Sequence, residues 1–430
     1  MTFKPGQSES FVYITLPGQT VPVTAGKFTI TVDRSGIDTG RFRYGKSYLA
    51  RPDRVPIDPV ELTLSERTYS TRVMKGVVGA LRDAGPDYWG RHVIERHAGI
   101  AALSEIDYLL YAPDDRAGAL GFGLGPEPPA PKRSFNQTIA LEKLQAIADA
   151  IVNEEDLPED AATAQIDELL LMGTSMGGAR PKAVIEDEDG LWLAKFNRPD
   201  DRWNYARVEH AMLTLARECG ISAAKAKLIE VAGRDVLLVK RFDREKTDAG
   251  YLRSRMVSGL TLLRAEDTHR DREKWSYPLL VEEVRRVSAA PKEDAHELFS
   301  RMCFNAMISN TDDHPRNHAM LARAAKWSLS PAYDLIPATP VSTERRDLAL
   351  ICGDAGRYAN AGNLLSQCAR FLLTRAEAGA RLTALRECIE NRWYSTARAA
   401  GVSETDCEKI RNAFLYEGFF HAIGRGDENT

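Results

Sequence analysis

A helix with a continuous apolar stripe leads directly into a loop crowded with polar side chains. Spacings of three and four residues predict a buried helix that ends near Asn310. The stripe consists of Ala295, Leu298, Phe299, Met302, Cys303, Ala306 and Met307. The residues that follow, Asn310 to His318, read NTDDHPRNH. A loop held on a rigid, buried element is how proteins position reacting groups, so this segment is the first candidate for a functional site.

Asp312 and Asn317 in this loop are separated by four residues. Protein kinases use that spacing: the aspartate orients the attacking hydroxyl and accepts its proton, and the asparagine binds Mg²⁺ through its amide oxygen. His314 and His318 offer an alternative, the HxxxH pattern of zinc metalloproteases. That pattern needs a glutamate after the first histidine on a continuous helix, whereas Pro315 stands there and opposes the helix. The loop favours a kinase over a zinc site, and a purely structural turn stays open.

Two stretches upstream carry features of a nucleotide site. GTSMGGARPKAVI, which begins at Gly173, is a glycine-rich turn whose backbone N–H groups suit phosphate oxygens. It lacks the lysine and hydroxyl residue that end a Walker A pattern, and a plain surface turn is the alternative. In LWLAKF, Lys195 lies within an apolar strand, so its charge needs a partner. That partner is a nucleotide phosphate, Glu209 of the following helix, or water.

A single aspartate, Asp334, follows two short strand-like runs behind the loop. The runs HAML and WSLS predict a hairpin that returns the chain towards the loop. Mg²⁺ prefers a few hard oxygen ligands together with phosphate oxygens and water, so Asp334 is a candidate second metal ligand. The order of all these features is more specific than any one of them: glycine-rich loop, strand lysine, helix, strand, helix, D-x-x-x-x-N loop, hairpin and aspartate.

The length of 430 residues predicts two or three packed units. A proline-rich stretch, Gly125–Ser134, divides the chain, and we expect domains at 1–125, 136–250 and 251–430, the last mostly helical. The net charge of -4 argues against nucleic-acid binding by this chain alone, which needs a basic face. The N-terminus lacks the layout of a signal peptide, and no apolar run approaches the roughly 18 residues of a membrane span, so we expect a cytoplasmic protein with no membrane partner.

These ordered segments resemble the HipA family of bacterial Ser/Thr protein kinases, the toxins of HipA/HipB toxin–antitoxin modules. The resemblance covers nearly the whole chain. In the first part it rests on FRYGKSYLARPD, PVELTL, GALRDAGPDYWGRHVIER and DDRAGALGFG. In the rest it rests on GTSMGGARPKAVI, LAKFNRP, LLVKRFDR, SNTDDHPRNHAML, LSPAYDLIP and GRYANAGNLLS. It implies an α+β, bilobal protein-kinase-like fold with a small mixed α/β N-terminal subdomain and a mostly helical C-terminal lobe.

The resemblance also implies roles for individual residues. Asp312 is the catalytic residue, and Asn317 and Asp334 hold Mg²⁺. An adenine hinge is implied near Lys240 to Phe242. The residues implied to contact ATP are Gly177, Gly178, Ala179, Lys182, Lys195, Lys240, Phe242 and Asp243. Ser175 matches the autophosphorylation position, where a phosphate would repel the nucleotide and inactivate the kinase; the neighbouring Thr174 is the alternative.

One position of the loop departs from the usual pattern, because Asp313 stands where glycine often follows the catalytic aspartate. The sequence assigns no role to it. The resemblance implies a HipB-like helix-turn-helix antitoxin as partner, with DNA reached only through it, and a protein target such as the glutamyl enzyme among the aminoacyl-tRNA synthetases. Two alternatives are a catalytically weak scaffold that binds the antitoxin as co-repressor, and a small-molecule kinase.

Overall fold

The computed structural model of the chain describes residues 6–100, 103–131, 136–137, 141–152, 180–339 and 342–422. The chain divides into two compact units, each assembled from separate segments. The first unit comprises Met1–Pro199, Glu230–Val257 and Leu321–Lys326. The second unit comprises Asp200–Ile229, Ser258–Met320 and Trp327–Thr430. Within the described ranges, no helix combines the length and the apolar character that crossing a membrane requires.

Alternating apolar residues build an antiparallel sheet at the start of the first unit. Its five strands lie in the order β4-β3-β2-β1-β5. They are β1 (Glu9–Thr15), β2 (Pro22–Val32), β3 (Asp38–Tyr44), β4 (Tyr69–Thr71) and β5 (Leu120–Gly123). Short helices between them are α1 (Lys46–Leu49), α2 (Gly79–Asp83), α3 (Tyr88–Ala98) and α4 (Glu105–Tyr111). Val12, Ile14 and Phe28 are fully buried, so the strands β1 and β2 place these side chains in the core.

A second sheet of the first unit contains the strand lysine. Four neighbouring strands of this sheet are β6 (Asn136–Gln137), β7 (Lys182–Asp187), β8 (Gly190–Phe196) and β10 (Arg234–Lys240), in the order β6-β7-β8-β10. Helix α5 (Leu141–Val152) and the hairpin strands β11 (Arg244–Thr247) and β12 (Gly250–Arg253) also belong to this unit. Strands β7, β8 and β10 are antiparallel, and the register places Lys195 opposite Lys182 on one side and Leu237 on the other. These three side chains therefore share one face of the sheet.

The second unit is mostly helical. Its helices are α6 (Tyr205–Glu218), α7 (Gly259–Leu262), α8 (Tyr277–Val287), α9 (Pro291–Met307), α10 (Ala361–Ser366), α11 (Arg375–Ala399) and α12 (Glu404–Ile410). The remaining strands of the described residues are β9 (Ala226–Val231), β13 (Arg255–Ser258), β14 (Ala319–Ala322) and β15 (Ser328–Leu329). Helix α6 begins where Asn204 accepts a hydrogen bond from the Arg207 N–H at 3.1 Å, and it is followed by Gly220 at a φ of +81°. Both residue types are preferred at these two ends of a helix.

Helix α9 is the buried support predicted for the polar loop. All seven residues of its apolar stripe are fully buried, and the helix packs against α8 and α11. Burial of a side chain such as Leu298, Phe299 or Met302 contributes roughly 1.5–3 kcal/mol. Behind the loop, the Ser330 N–H donates to the Ala319 carbonyl at 2.8 Å, as in the predicted hairpin. The loop therefore starts and ends on fixed elements.

Candidate active site

The polar loop is anchored where it leaves α9. Ser309 has a φ of +54°, a left-handed conformation that is uncommon for a residue with a side chain. Its hydroxyl donates to the Ala413 carbonyl at 2.6 Å and accepts from Arg346 Nη1 at 2.7 Å. The Leu415 N–H donates to the Met307 carbonyl at 2.8 Å. A C-terminal segment of the second unit thus holds the helix end and fixes the direction in which the loop departs.

Asp312 and Asn317 are joined through the backbone of the loop. Asn317 Nδ2 donates to the Asp312 carbonyl at 3.3 Å, and the His314 N–H donates to the same oxygen at 2.7 Å. Asn317 ends a short 3₁₀ turn that begins at Pro315, a position where proline has no N–H to lose. The bond uses the amide NH₂ group of Asn317, so its amide oxygen keeps its acceptor character for a metal ion.

Asp334 lies within electrostatic reach of Asp312. Burial raises the pKa of Asp312 above its ordinary value, and the negative charge of Asp334 raises it further. Asp334 has a φ of +59°, and its carbonyl oxygen lies 3.4 Å from Asn310 Nδ2. The structure therefore brings Asp312, Asn317 and Asp334 together in the second unit. Residues held in sparsely populated backbone conformations cluster at functional sites.

The oxygen donors of Asp312, Asn317 and Asp334 suit Mg²⁺ in their chemistry. Two carboxylates that disfavour each other's charge, next to an amide oxygen, form a hard donor set that a divalent cation stabilises. In the part of the chain that the structure describes, no three His, Cys, Asp or Glu side chains cluster as a metal site. Mg²⁺ does not require such a cluster, because it keeps water and phosphate oxygens among its ligands.

The two histidines of the HxxxH pattern have separate carboxylate partners. His314 Nε2 lies 2.9 Å from Asp267 Oδ1, and Arg316 Nε donates to Asp267 Oδ2 at 3.1 Å. The hydrogen bond with His314 and the charges of His314 and Arg316 lower the pKa of Asp267 to about 2. His318 Nε2 lies 3.0 Å from Asp313 Oδ1 instead. Both imidazoles thus support the loop.

Sequence reasoning missed the residues that support the loop from outside it. Asp267 precedes the loop by more than forty positions, so its contact with His314 has no signature in the local sequence. Asp313 gave the only signal, since a second carboxylate beside Asp312 broke the expected pattern. It is 2% exposed and accepts a hydrogen bond from the Tyr277 hydroxyl.

In the first unit, the two lysines that were expected to contact phosphate have different surroundings. Lys182 is 2% exposed, and its Nζ lies 2.5 Å from Asp87 Oδ2. Asp87 Oδ1 also caps helix α3 by accepting from the Gly90 N–H at 2.7 Å. The predicted contact of Lys182 with ATP does not fit an ammonium group already neutralised inside the protein. Lys195, half-buried on β8, is the lysine that we retain as a candidate phosphate contact.

Asp87→Asn is expected to lower the free energy of unfolding by about 3 kcal/mol, because it leaves the buried ammonium group of Lys182 uncompensated. The effect lies at the lower end of the range for broken buried pairs because a lysine can release its proton. Urea unfolding of the full chain measures it. The double variant Asp87→Asn with Lys182→Met should recover most of the loss, and a double variant no more stable than Asp87→Asn would contradict the assignment.

The residues expected to contact ATP at the adenine hinge and directly after it have different environments. Lys240 Nζ donates to the Asp189 carbonyl and lies 4.7 Å from the centre of the Trp192 ring. Phe242 is partly exposed, whereas Asp243 is 1% exposed. Both carboxylate oxygens of Asp243 accept hydrogen bonds from arginine side chains of the protein. The predicted contact of Asp243 with ATP does not fit this buried carboxylate, which has a structural role instead.

The glycine-rich loop lies outside the described residues. Ser175, Gly177, Gly178 and Ala179, as well as Thr174, fall within it. Their expected roles in phosphate binding and autophosphorylation stay predictions. Lys182 directly follows the loop on β7, so the position at which the loop joins the sheet is defined.

The chain is similar to known proteins both in its fold and in its sequence. The chain superposes on HipA of Shewanella oneidensis MR-1, solved with HipB and its operator DNA, with a TM-score of 0.67 at 16% identity over 94% of each chain. The fold is thus the α+β, kinase-like fold expected from the sequence. Residues 23–123 match the model of the HipA N-terminal domain, and residues 174–412 match that of the HipA-like C-terminal domain. The chain belongs to the HipA family.

The chain is also similar to a relative with a curated description. The chain is 25% identical over 392 residues to a Sinorhizobium fredii protein named "Putative kinase Y4mE", which covers 87% of this chain and 88% of that protein. The similarity extends over both units, so it includes the candidate loop and the sheet that carries Lys195.

Proposed function

We propose that this chain is an ATP- and Mg²⁺-dependent Ser/Thr protein kinase that acts as the toxin of a toxin–antitoxin pair in the cytoplasm. The observation that carries the proposal is that Asp312 and Asn317 share a loop supported by a buried helix, and that Asp334, which follows the hairpin, lies close to that loop. The kinase description of the Sinorhizobium fredii relative is consistent with it.

In the proposed reaction, the hydroxyl oxygen of a protein serine or threonine attacks the γ-phosphorus of ATP. The bond between that phosphorus and the oxygen bridging to the β-phosphate breaks, and ADP leaves. Asp312 orients the hydroxyl and accepts its proton, a role that suits a carboxyl group whose pKa is raised by burial and by Asp334. Asn317 and Asp334 would hold Mg²⁺, which supplies positive charge to the phosphoryl oxygens.

Lys195 is the proposed phosphate contact of the first unit. Its ammonium group lies on the sheet face shared with Lys182, whose own charge is engaged by Asp87. Lys240 and Phe242 are proposed to contact the adenine at the end of β10. The segment containing Gly177, Gly178 and Ala179 is proposed to cover the phosphates with backbone N–H groups.

Autophosphorylation at Ser175 is proposed as the inactivating step. A phosphoserine carries about -1.5 to -2 charges at neutral pH and would repel the nucleotide phosphates. Phosphopeptide mapping of the purified chain after incubation with ATP and Mg²⁺ tests this. The proposal requires phosphate on Ser175 in the wild type and none in Asp312→Ala; phosphate confined to Thr174 would reassign the site.

The proposed partners are a HipB-like helix-turn-helix antitoxin and a protein target, with an aminoacyl-tRNA synthetase such as the glutamyl enzyme as the first candidate. The antitoxin proposal rests on the Shewanella HipA structure, which contains HipB and operator DNA. A net charge of -4 gives this chain little attraction for DNA by itself, so the antitoxin would supply the basic surface. A co-repressor scaffold without catalysis is the competing function.

A phosphoproteome recorded after expression in a susceptible cell distinguishes these functions. A protein kinase yields new phosphoserine or phosphothreonine on a discrete host protein, and the signal disappears with Asp312→Ala. A scaffold leaves the phosphoproteome unchanged while binding the protein encoded beside it. Phosphate transferred to a free metabolite and never to protein would show a small-molecule kinase instead.

A further inference from the structure

Five polar side chains are buried together beneath the polar loop. They form what we term the loop-supporting network: Tyr277 on α8, Asn305 on α9, and Asn310, Asp313 and His318 on the loop. None of the five is more than 3% exposed. Burying a carboxylate and several other polar groups costs free energy, and neither ring nitrogen of His318 makes a hydrogen bond of good geometry, so the arrangement needs a reason.

The hydrogen bonds of the network run in one consistent direction. Asn310 Nδ2 donates to Asn305 Oδ1 at 3.1 Å, and Asn305 Nδ2 donates to the Tyr277 hydroxyl at 3.1 Å. The Tyr277 hydroxyl in turn donates to Asp313 Oδ2. The other oxygen, Asp313 Oδ1, lies 3.0 Å from His318 Nε2, and the Tyr277 and His318 rings meet edge to face at 5.2 Å. The carboxylate of Asp313 is therefore the terminal acceptor of the chain of hydrogen bonds.

The network reaches the neighbourhood of each proposed reacting residue. Asp313 directly follows the proposed catalytic Asp312, and His318 directly follows the proposed metal ligand. The third attachment is Asn310, whose Nδ2 lies 3.4 Å from the carbonyl oxygen of Asp334. A shift of Tyr277 or Asn305 would therefore move the backbone at all three places.

Stability alone does not explain this arrangement. Apolar residues of similar volume usually replace a buried polar cluster without loss of stability, whereas a paired network fixes a unique geometry. Tyr277 carries its hydroxyl on a fully buried ring, at a place where phenylalanine would fill the same space. The hydroxyl has one evident purpose, which is to bridge Asn305 and Asp313.

We propose that Tyr277 and Asn305 are positioning residues that hold Asp312, Asn317 and Asp334 in their reactive arrangement through Asp313 and Asn310. This inference rests on the proposed kinase function. It assigns a role to Asp313, the residue that departs from the usual loop pattern. It also assigns a role to helices α8 and α9, which carry no reacting group.

Tyr277→Phe in the full chain tests the proposal. The turnover number for phosphoryl transfer should fall about 10- to 100-fold, because small misplacements of reacting groups cost that much. The KM for ATP should change less than the turnover number, since the variant leaves the proposed contacts of the first unit with ATP untouched. Asn305→Leu, which is close in volume, should lower the turnover number in the same way and guards against a folding defect in one variant.

Tyr358→Phe is the matched control. Its hydroxyl is also buried in the second unit, within 2.8 Å of the Gly418 carbonyl and 3.0 Å of the Glu344 carbonyl. It should lose comparable thermal stability and keep the wild-type turnover number. Hydrogen exchange of the amides of residues 311–318 gives a readout that is independent of activity: exchange should accelerate about tenfold in Tyr277→Phe and stay unchanged in the control.

Equal turnover numbers, or equal exchange of the loop amides, in Tyr277→Phe and Tyr358→Phe would overturn the positioning role while leaving the kinase function intact. A wild-type chain without any Asp312-dependent transfer would overturn the kinase function, and the positioning role with it. The two failures are therefore distinguishable.

Discussion

Asp243→Asn is expected to lower the free energy of unfolding of the full chain by about 5 kcal/mol, the upper end of the range for a broken buried ion pair. The wild-type carboxylate accepts from Arg241 Nε and Nη2 at 2.8 Å each and from Arg244 Nη1 at 2.7 Å. All three residues are buried. Asparagine has the same shape but no charge, so two guanidinium groups that cannot readily release their protons are left without an anion.

The arginines also join two parts of the first unit that are distant in sequence. Arg241 donates to the carbonyls of Asp115 and Arg116, and Arg244 donates to the carbonyls of Arg116 and Gly118. Loss of Asp243 should therefore loosen the attachment of the loop at residues 115–118 to the end of β10. Urea unfolding measures the change. Asp53→Asn, which removes an exposed ion pair with Arg51, is the control and should leave the midpoint unchanged.

The pH dependence of this effect has a definite sign. Burial by itself raises the pKa of Asp243, but the charges of Arg241 and Arg244 outweigh it and hold the pKa well below its ordinary value. The charged carboxylate therefore contributes stability at every pH above its unfolded pKa of about 3.9, and that contribution is lost as the pH falls further. The stability difference between wild type and Asp243→Asn should be constant from about pH 5 to 8 and shrink below about pH 4. A constant difference at all pH values would contradict the ion cluster.

Asp312→Asn is expected to lower the rate of phosphoryl transfer by about 100- to 10,000-fold, the contribution of a positioned general base. Asparagine keeps the shape of the side chain but cannot accept the hydroxyl proton. Single-turnover transfer of labelled phosphate measures the rate. A rate within a few fold of wild type would show that another group accepts the proton.

The stability of the same variant provides its control. Burial and the charge of Asp334 both disfavour the ionised form of Asp312, so removing the charge should leave the melting temperature unchanged or raise it. Asp267→Asn is the matched opposite: Asp267 is stabilised as an anion by His314 and Arg316, so its replacement should lower the melting temperature. A lower melting temperature for Asp312→Asn would indicate a structural role for that carboxylate.

Local patterns predicted the support of the site and its central residues. The period of the apolar stripe located α9, and the D-x-x-x-x-N spacing with the later aspartate selected Asp312, Asn317 and Asp334 as candidates. The stripe and the spacing are local signals, because helix geometry and residue type can be recognised within a short stretch of sequence.

The sequence did not predict contacts between residues that are far apart along the chain. Lys182 looked like a phosphate contact because it follows a glycine-rich turn, but its partner Asp87 lies 95 positions away. Asp243 looked like an ATP contact next to the hinge, but its carboxylate pairs with a loop more than 120 positions earlier. Charged residues next to a predicted ligand site carry the same local signal whether they face the ligand or another part of the protein. Only the folded arrangement distinguishes the two.

Incubation of the wild-type chain, Asp312→Ala and Asp334→Ala with Mg²⁺ and ATP labelled on the γ-phosphate tests the proposed kinase function most directly. We expect label on protein for the wild type, none when Mg²⁺ is chelated, and none for either variant, all three chains being equally folded. Label incorporation that survives both substitutions would contradict it.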